Sequence, residues 1–168
     1  MLGFLIFLSV PLLAGFVLGA GAGGLGRVLP GSGAWRLLWT AAALVLPGLS
    51  LVGYLQETGQ AALRVPEQAA TMHTFQLLTA LLFVLTAALT LWAGWRRSWL
   101  APLPLPALFV AFFYAVLPPI YRGQDGVYDE LLFSQLDGDT ARGLFLACAC
   151  GTALLTGMTV AGRRKLTP

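Results

Sequence analysis

Residues 75–95 read FQLLTALLFVLTAALTLWAGW, an uncharged run of Leu, Ala, Thr and aromatic residues without a proline. About 20 consecutive apolar residues cross the ~30 Å hydrocarbon core of a bilayer as an α-helix, so this run predicts a transmembrane span. Four further runs share its length and its lack of charge: residues 2–25, 37–55, 100–121 and 144–162. The sequence therefore predicts an all-α integral membrane bundle of five transmembrane helices, with residues 1–168 forming a single domain.

The composition favours the same class of protein. The chain has 168 residues, of which 58% are hydrophobic and 10% charged, and its mean hydropathy is +0.80. These values are far too apolar for a soluble domain of this size. Small residues at 19–22 would suit signal-peptide cleavage, but no Lys or Arg precedes the first run, which is also longer than the usual apolar region of a signal peptide. We therefore expect the first run to remain as a span.

The distribution of charge predicts the orientation. Seven of the ten basic residues fall on one side of the five spans, and all seven acidic residues fall on the other. Because Lys and Arg stay on the cytoplasmic side of short loops, the N-terminus should lie outside and the C-terminus in the cytoplasm, in the plasma (inner) membrane of a bacterium. All five Trp residues fall near the predicted cytoplasmic ends, at headgroup level. No basic patch is interleaved with aromatic residues, so nucleic acid is not an expected partner. The cytoplasmic basic residues are Arg27, Arg36, Arg96, Arg97, Arg163, Arg164 and Lys165.

Three glycines in the first span predict a packing surface. Gly15, Gly19 and Gly23 recur every four residues, which places them on one helix face and lets a neighbouring helix approach closely. The neighbour is either another helix of this chain, a second copy, or a helix of another subunit.

Two stripes of polar residues follow the helical period. Gln76, Thr79, Thr86 and Thr90 lie on one face of the third helix together with Met72 and Phe83, and Thr152 and Thr156 lie on the fifth with Cys148 and Thr159. Hydroxyl groups are poorly placed against lipid, so we expect both stripes to face into the bundle. The two stripes could pack against each other there. They would either form interhelical hydrogen bonds or line a pathway or cavity for a neutral ligand.

His73 and the two cysteines give little support for chemistry. His73 is the only histidine and lies near the predicted outer end of the third helix, where it is a weak candidate for a metal or pH-sensing site. Haem ligation by two histidines is excluded. Cys148 and Cys150 are about 200° apart on a helix and lack the CxxC spacing, so packing is their expected role. No cofactor is implied by the sequence.

The predicted outer connector, residues 122–142, is acidic and has its own apolar face. We expect a short interfacial helix there, ended by Gly138. Its acids do not match the twelve-residue calcium loop, so they form either a solvated surface or a docking site for a basic partner. These acids are Asp125, Asp129, Glu130, Asp137 and Asp139.

Prolines predict two helix boundaries. Pro66 suits the first position of a third helix that continues to Arg97. Pro102, Pro104 and Pro106 favour an extended segment before the fourth helix, which should then be regular only over residues 107–117.

The spans contain no ionisable residue at membrane depth, unlike those of proton relays and ion-coupled transporters. The expected function is therefore a non-catalytic subunit or assembly factor of a larger membrane complex. Its partners would be membrane lipids and other membrane subunits, joined through the glycine face of the first helix or through the acidic connector. The alternative is a small carrier or binding protein for an uncharged or lipid-like ligand, held by the polar stripes.

Overall fold

The computed structural model describes residues 2–28, 32–64, 66–96, 98–113 and 138–163, and these are helical almost throughout. One short 3-10 turn, Pro66–Gln68, precedes the third helix. The α-helices are α1 Leu2–Val28, α2 Ser32–Arg64, α3 Ala69–Trp95, α4 Pro104–Ala111 and α5 Gly138–Arg163.

Four helices in the described part of the chain are long and apolar enough to cross a membrane. The qualifying segments are Ser9–Val28, Gly33–Arg64, Ala69–Trp95 and Arg142–Gly162. They correspond to the first, second, third and fifth spans expected from the sequence. The remaining expected span, 100–121, is described only to residue 113, so a fifth span stays a prediction.

Helix boundaries differ from the sequence-based expectation at several places. Helix α2 continues to Arg64, well beyond residue 55, because the polar segment after the apolar run is rich in helix-forming Gln, Glu and Ala. Helix α4 begins at Pro104 rather than at residue 107. Proline is tolerated in the first turn, where backbone N–H groups have no intrahelical acceptor, so Pro104 and Pro106 belong to this helix.

Gly138, where the expected interfacial helix should end, is the first residue of α5. The short interfacial helix expected before it falls within residues 114–137, outside the described residues. At the start of α3, Pro66 begins a 3-10 turn, and the α-helix follows from Ala69.

Helix α5 lies at the centre of the described bundle. It packs along α1 over most of its length and also contacts α2 and α4, while α3 packs mainly against α2 and α4. The core lies where α2, α4 and α5 meet, and many Leu and Val side chains on the outer faces of the helices are exposed. The largest fully buried apolar side chains of this core are Tyr54, Leu105, Phe112, Leu144 and Leu155.

The described bundle has two chemically different ends. The C-terminal ends of α1, α3 and α5 meet the N-terminal end of α2, as contacts from Trp35 to Ala22 and from Thr40 to Gly94 show. This end contains Arg27, Arg36 and Arg96, and we call it the basic end. The opposite end, where α2 turns into α3 beside His73, is the His73 end.

Candidate functional site

A group of polar side chains lies between α2 and α3 at the His73 end. We call Tyr54, Thr58, His73, Gln76 and Thr79 the polar seam. Gln76 is its centre, because its Nε2 donates to the carbonyl oxygen of Leu55 at 3.1 Å and to Thr58 Oγ1 at 3.2 Å. Its Oε1 lies 3.0 Å from Nδ1 of His73, one turn earlier on α3. The two bonds from Nε2 join α3 directly to α2.

The turn between α2 and α3 creates this arrangement. The 3-10 turn reverses the chain, so that the last turns of α2 lie beside the first turns of α3. Gly59 keeps the space for the amide, since a β-carbon at Gly59 would lie 3.3 Å from Gln76 Nε2. A glycine in α2 thus makes room for the polar contact from α3.

Two hydroxyl groups deeper in the seam, those of Tyr54 and Thr79, make no hydrogen bond of ordinary geometry. Tyr54 Oη and Thr79 Oγ1 lie near each other across the two helices but outside ordinary hydrogen-bond geometry, and each residue is only 1% exposed. The Tyr54 ring packs edge to face against Phe112, with ring centroids 4.9 Å apart. Because a buried polar group without a partner costs free energy, these hydroxyls mark a place where a water or another small polar molecule would be stabilised.

The contacts within the seam are hydrogen bonds between neutral polar groups. The exposed imidazole of His73 contacts the neutral side-chain amide of Gln76. The described residues contain no group of three His, Cys, Asp or Glu side chains that could hold a metal ion. The geometry therefore supports hydrogen bonding between helices and binding of small polar molecules.

The other threonines of α3 contact their own helix. Thr86 and Thr90 are buried, and the Thr90 hydroxyl donates to the carbonyl oxygen of Thr86 at 2.7 Å. Thr40 on α2 does the same with Arg36, at 2.7 Å. Such bonds satisfy the hydroxyl within one helix. The Thr90 hydroxyl thus bonds within its own helix, whereas Gln76 supplies hydrogen bonds from α3 to α2.

The polar stripe of α5 behaves in the same way. Thr152 and Thr156 are half-buried, and their hydroxyls donate to the carbonyl oxygens of Cys148 and Thr152 at 2.6 and 2.7 Å. The two stripes do not pair with each other, because the stripe of α3 packs on α2. The reason is the central position of α5, which brings it against α1, α2 and α4 instead.

The glycines of α1 lie against α5. A β-carbon at Gly15 would lie 2.6 Å from the carbonyl oxygen of Cys150, and one at Gly23 would lie 2.5 Å from that of Met158. Gly19, between them, meets the carbonyl of Leu154. This face of α1 is therefore occupied by a helix of the same chain and is not open to another subunit.

An apolar groove lies on the outside of the bundle between α1, α4 and α5. Its volume is about 410 Å³, and its surface is entirely apolar. Phe109 and Phe145 form one wall, with ring centroids 5.2 Å apart, and Leu12 lies opposite them on α1. Cys148 and Thr152 also line the groove, so part of the α5 stripe borders a cavity suited to hydrocarbon.

The acidic connector is largely outside the described residues. Asp125, Asp129, Glu130 and Asp137 fall within 114–137, and Asp139 is in the first turn of α5. The docking role expected for these five residues stays a prediction.

Sequence reasoning missed Tyr54 and Thr58 as members of the polar seam. A second span that ends at residue 55 leaves Thr58 in the connector that follows. The signal that could have identified them is the helical spacing of Tyr54 and Thr58, four residues apart on a helix that continues through the polar segment.

Comparisons with protein-family models, with curated proteins and with solved structures found no match for this chain.

Proposed function

We propose that this chain is a non-catalytic subunit or assembly factor of a larger membrane complex. It would lie in the plasma (inner) membrane of a bacterium, with its N-terminus outside and its C-terminus in the cytoplasm. Its role would be association with other membrane proteins through a helix surface, without a reaction of its own.

The chemistry of the buried residues supports this proposal. Among the described residues, the buried side chains that carry a hydroxyl, amide or charged group are those of Tyr54 and five threonines: Thr40, Thr58, Thr79, Thr86 and Thr90. Proton relays and ion-coupled transporters use Asp, Glu, Lys, Arg or His at membrane depth, although each charge costs about 2.5–3.5 kcal/mol on insertion scales. The described core contains no such group to move a proton or an ion.

The observation that carries the proposal is an exposed face of α1. It lies on the opposite side of the helix from the glycines that contact α5. Val10, Val17 and Val28 are 63%, 65% and 82% exposed, and a β-carbon at Gly21 or Gly24 would meet nothing within 4 Å. We call this surface the outer face of α1. Its members follow an alternating spacing of four and three residues: Val10, Ala14, Val17, Gly21, Gly24 and Val28.

This pattern favours another transmembrane helix as the occupant. Four-and-three spacing keeps a narrow stripe facing a partner along the whole helix, as in coiled coils. In lipid, helices associate through close van der Waals packing, for which small residues at the contact are favourable. The partner surface is therefore expected to be one apolar helix of a different subunit, packed lengthwise on α1.

Purification in a mild detergent, followed by native mass analysis, tests the proposal. The wild-type chain should retain a protein partner in fixed stoichiometry. Gly21→Leu should release that partner and leave the chain folded, because a β-carbon at Gly21 meets nothing within 4 Å. Gly53→Leu is the matched control, since Gly53 on α2 is equally open and lies outside the outer face of α1.

The outcome distinguishes the possible occupants. A chain that purifies alone, or Gly21→Leu that keeps its partner, would refute the proposed association surface. A complex with the mass of two copies of this chain would indicate that the outer face of α1 mediates self-association. If a partner remains after Gly21→Leu and leaves only when Asp125, Asp129, Glu130, Asp137 and Asp139 are neutralised together, the acidic connector is the docking site.

A second function is favoured by the apolar groove beside α4. A groove of about 410 Å³ with no polar surface could hold an uncharged or lipid-like ligand, as a small carrier or binding protein would. This alternative predicts that a lone chain keeps one lipid-like molecule through purification. Ala149→Trp should fill the groove and displace that molecule, whereas Gly53→Leu should leave it bound.

A further inference from the structure

A second cavity lies inside the basic end of the bundle. It has a volume of about 180 Å³ and is bordered by α1, α2, α3 and α5 together with the residues that follow α3. One water molecule needs only about 10–15 Å³ of such space, so the cavity can hold a group much larger than water. The lining residues that matter here are Gly23, Gly26, Arg36, Ser98, Thr159 and Gly162.

Glycines and a tryptophan shape this cavity. Gly23, Gly26 and Gly162 contribute no side chain, which leaves space between the helix ends. Trp35 links α2 to α1, because its Nε1 donates to the carbonyl oxygen of Ala22 at 2.9 Å. A β-carbon at Gly26 would lie 2.8 Å from the Trp35 ring, so this arrangement requires a glycine.

The polar groups around the cavity favour an anion. The Arg36 side chain lines it, and a β-carbon at Gly162 would lie 3.4 Å from Arg36 Nη2. Arg27 follows Gly26 on α1, and its Nε is buried without a hydrogen-bond partner. Ser98 already accepts a hydrogen bond from the Leu100 N–H, which leaves its own hydroxyl hydrogen for another acceptor. No Asp or Glu is among the lining residues.

The tryptophans indicate the depth of the cavity in a membrane. Trp92, Trp95 and Trp99 are 57%, 63% and 65% exposed, and all lie at the same end as the cavity. Tryptophan rings prefer the headgroup level, where phospholipid phosphates also lie. The Arg96 guanidinium stacks over Trp92 at 5.4 Å and adds positive charge to this level.

We propose that this cavity binds the phosphate group of an anionic molecule, most directly that of an anionic phospholipid in the surrounding leaflet. The guanidinium of Arg36, which carries five N–H donors, would donate a charge-assisted hydrogen bond to the phosphate, and the Ser98 hydroxyl would donate to another phosphate oxygen. Basic pockets between transmembrane helices are suited to anionic headgroups for the same electrostatic reason. This site is separate from the outer face of α1 and does not depend on the proposed function.

The test uses the detergent-purified chain and three probes. Native mass spectrometry and thermal unfolding would be measured with added phosphatidylglycerol, with zwitterionic phosphatidylcholine, and with inorganic phosphate. Phosphatidylglycerol should form a one-to-one adduct and raise the unfolding midpoint, and phosphatidylcholine should do so much less. Protection by inorganic phosphate alone, without phosphatidylglycerol binding, would support the phosphate site and assign it to a soluble phosphate compound.

Two variants and a control locate the binding. Arg36→Gln should weaken phosphatidylglycerol binding by at least roughly tenfold, as expected for the loss of charge-assisted hydrogen bonds. Gly162→Leu keeps every charge and should abolish binding by filling the cavity. Arg64→Gln is the control, because it removes an exposed arginine at the other end of α2.

Three results would overturn the proposal. The first is that neither phosphatidylglycerol nor inorganic phosphate binds the wild-type chain. The second is that Arg64→Gln weakens binding as much as Arg36→Gln, which would indicate non-specific attraction. The third is that Gly162→Leu binds normally, and this result decides the question even if Arg36→Gln fails to fold.

Discussion

Gly19 of α1 lies against the backbone carbonyl of Leu154 on α5, so closely that a β-carbon on Gly19 could not be accommodated. The contact is reciprocal, because Gly157 of α5 meets the backbone of α1 at Phe16 and Ala20. The two helices run in the same direction and touch backbone to backbone. In lipid, where apolar side chains gain little by leaving their surroundings, such close van der Waals contact is a principal source of helix association.

The first prediction concerns this contact. Gly19→Ala should destabilise the bundle by about 1–3 kcal/mol, because its methyl group must push the α5 backbone aside. Gly21→Ala is the matched control, two residues away in the same helix, where a β-carbon meets nothing within 4 Å. It should be neutral or stabilising by up to about 1 kcal/mol, since alanine forms helix better than glycine. Denaturation of both variants in mixed micelles measures the difference, and equal stability would show that α1 and α5 do not pack as described.

The second prediction concerns Gln76. Gln76→Leu removes both hydrogen bonds from α3 to α2 and should lower stability by about 1 kcal/mol, given roughly 0.6 kcal/mol for a typical membrane hydrogen bond. Gln60→Leu removes the same functional group from an exposed position on α2 and should have little effect. The same denaturation experiment compares them. A larger loss in Gln60→Leu would place the important amide outside the polar seam.

The third prediction concerns the hydroxyls of Tyr54 and Thr79. Tyr54→Phe and Thr79→Val each remove a buried hydroxyl that makes no hydrogen bond of ordinary geometry, so both should leave stability unchanged or raise it by about 1 kcal/mol. Thr90→Val is the contrast, because its hydroxyl donates to the Thr86 carbonyl, and its loss should cost about 0.5–1 kcal/mol. Clear destabilisation by Tyr54→Phe would instead reveal a bound water or ligand on that hydroxyl.

The fourth prediction concerns orientation. In a background with Cys148 and Cys150 replaced by alanine, Glu67→Cys should react in intact cells with a thiol reagent that cannot cross the membrane. Val28→Cys, which is 82% exposed at the basic end, should react only after the cells are opened. The physical basis is the retention of arginines on the cytoplasmic side. The reverse pattern of labelling would overturn the orientation that we propose.

The polar residues of α3 were predicted from the sequence only in part. The helical period predicted that Thr79, Thr86 and Thr90 share one face of α3, and all three are buried. The helical period could not show which acceptor each hydroxyl would use. A threonine in a helix can donate to the backbone carbonyl four residues earlier in the same helix, or to an acceptor on a neighbouring helix. Gln76 has a longer side chain that can reach across to α2, and its partners became evident only from the packing of the two helices.

The sequence by itself determined the class of this protein, the positions of its long apolar helices and the separation of charge between their ends, because each depends on residues close together in the chain. Only the tertiary structure decided that α5 occupies the face of Gly15, Gly19 and Gly23, and that the opposite face of α1 is bare. It also decided that helix ends from distant parts of the chain enclose a cavity beside Arg36. The physical reason is that one small-residue face fits several possible neighbours equally well, and the choice depends on how all the helices fill the space between them.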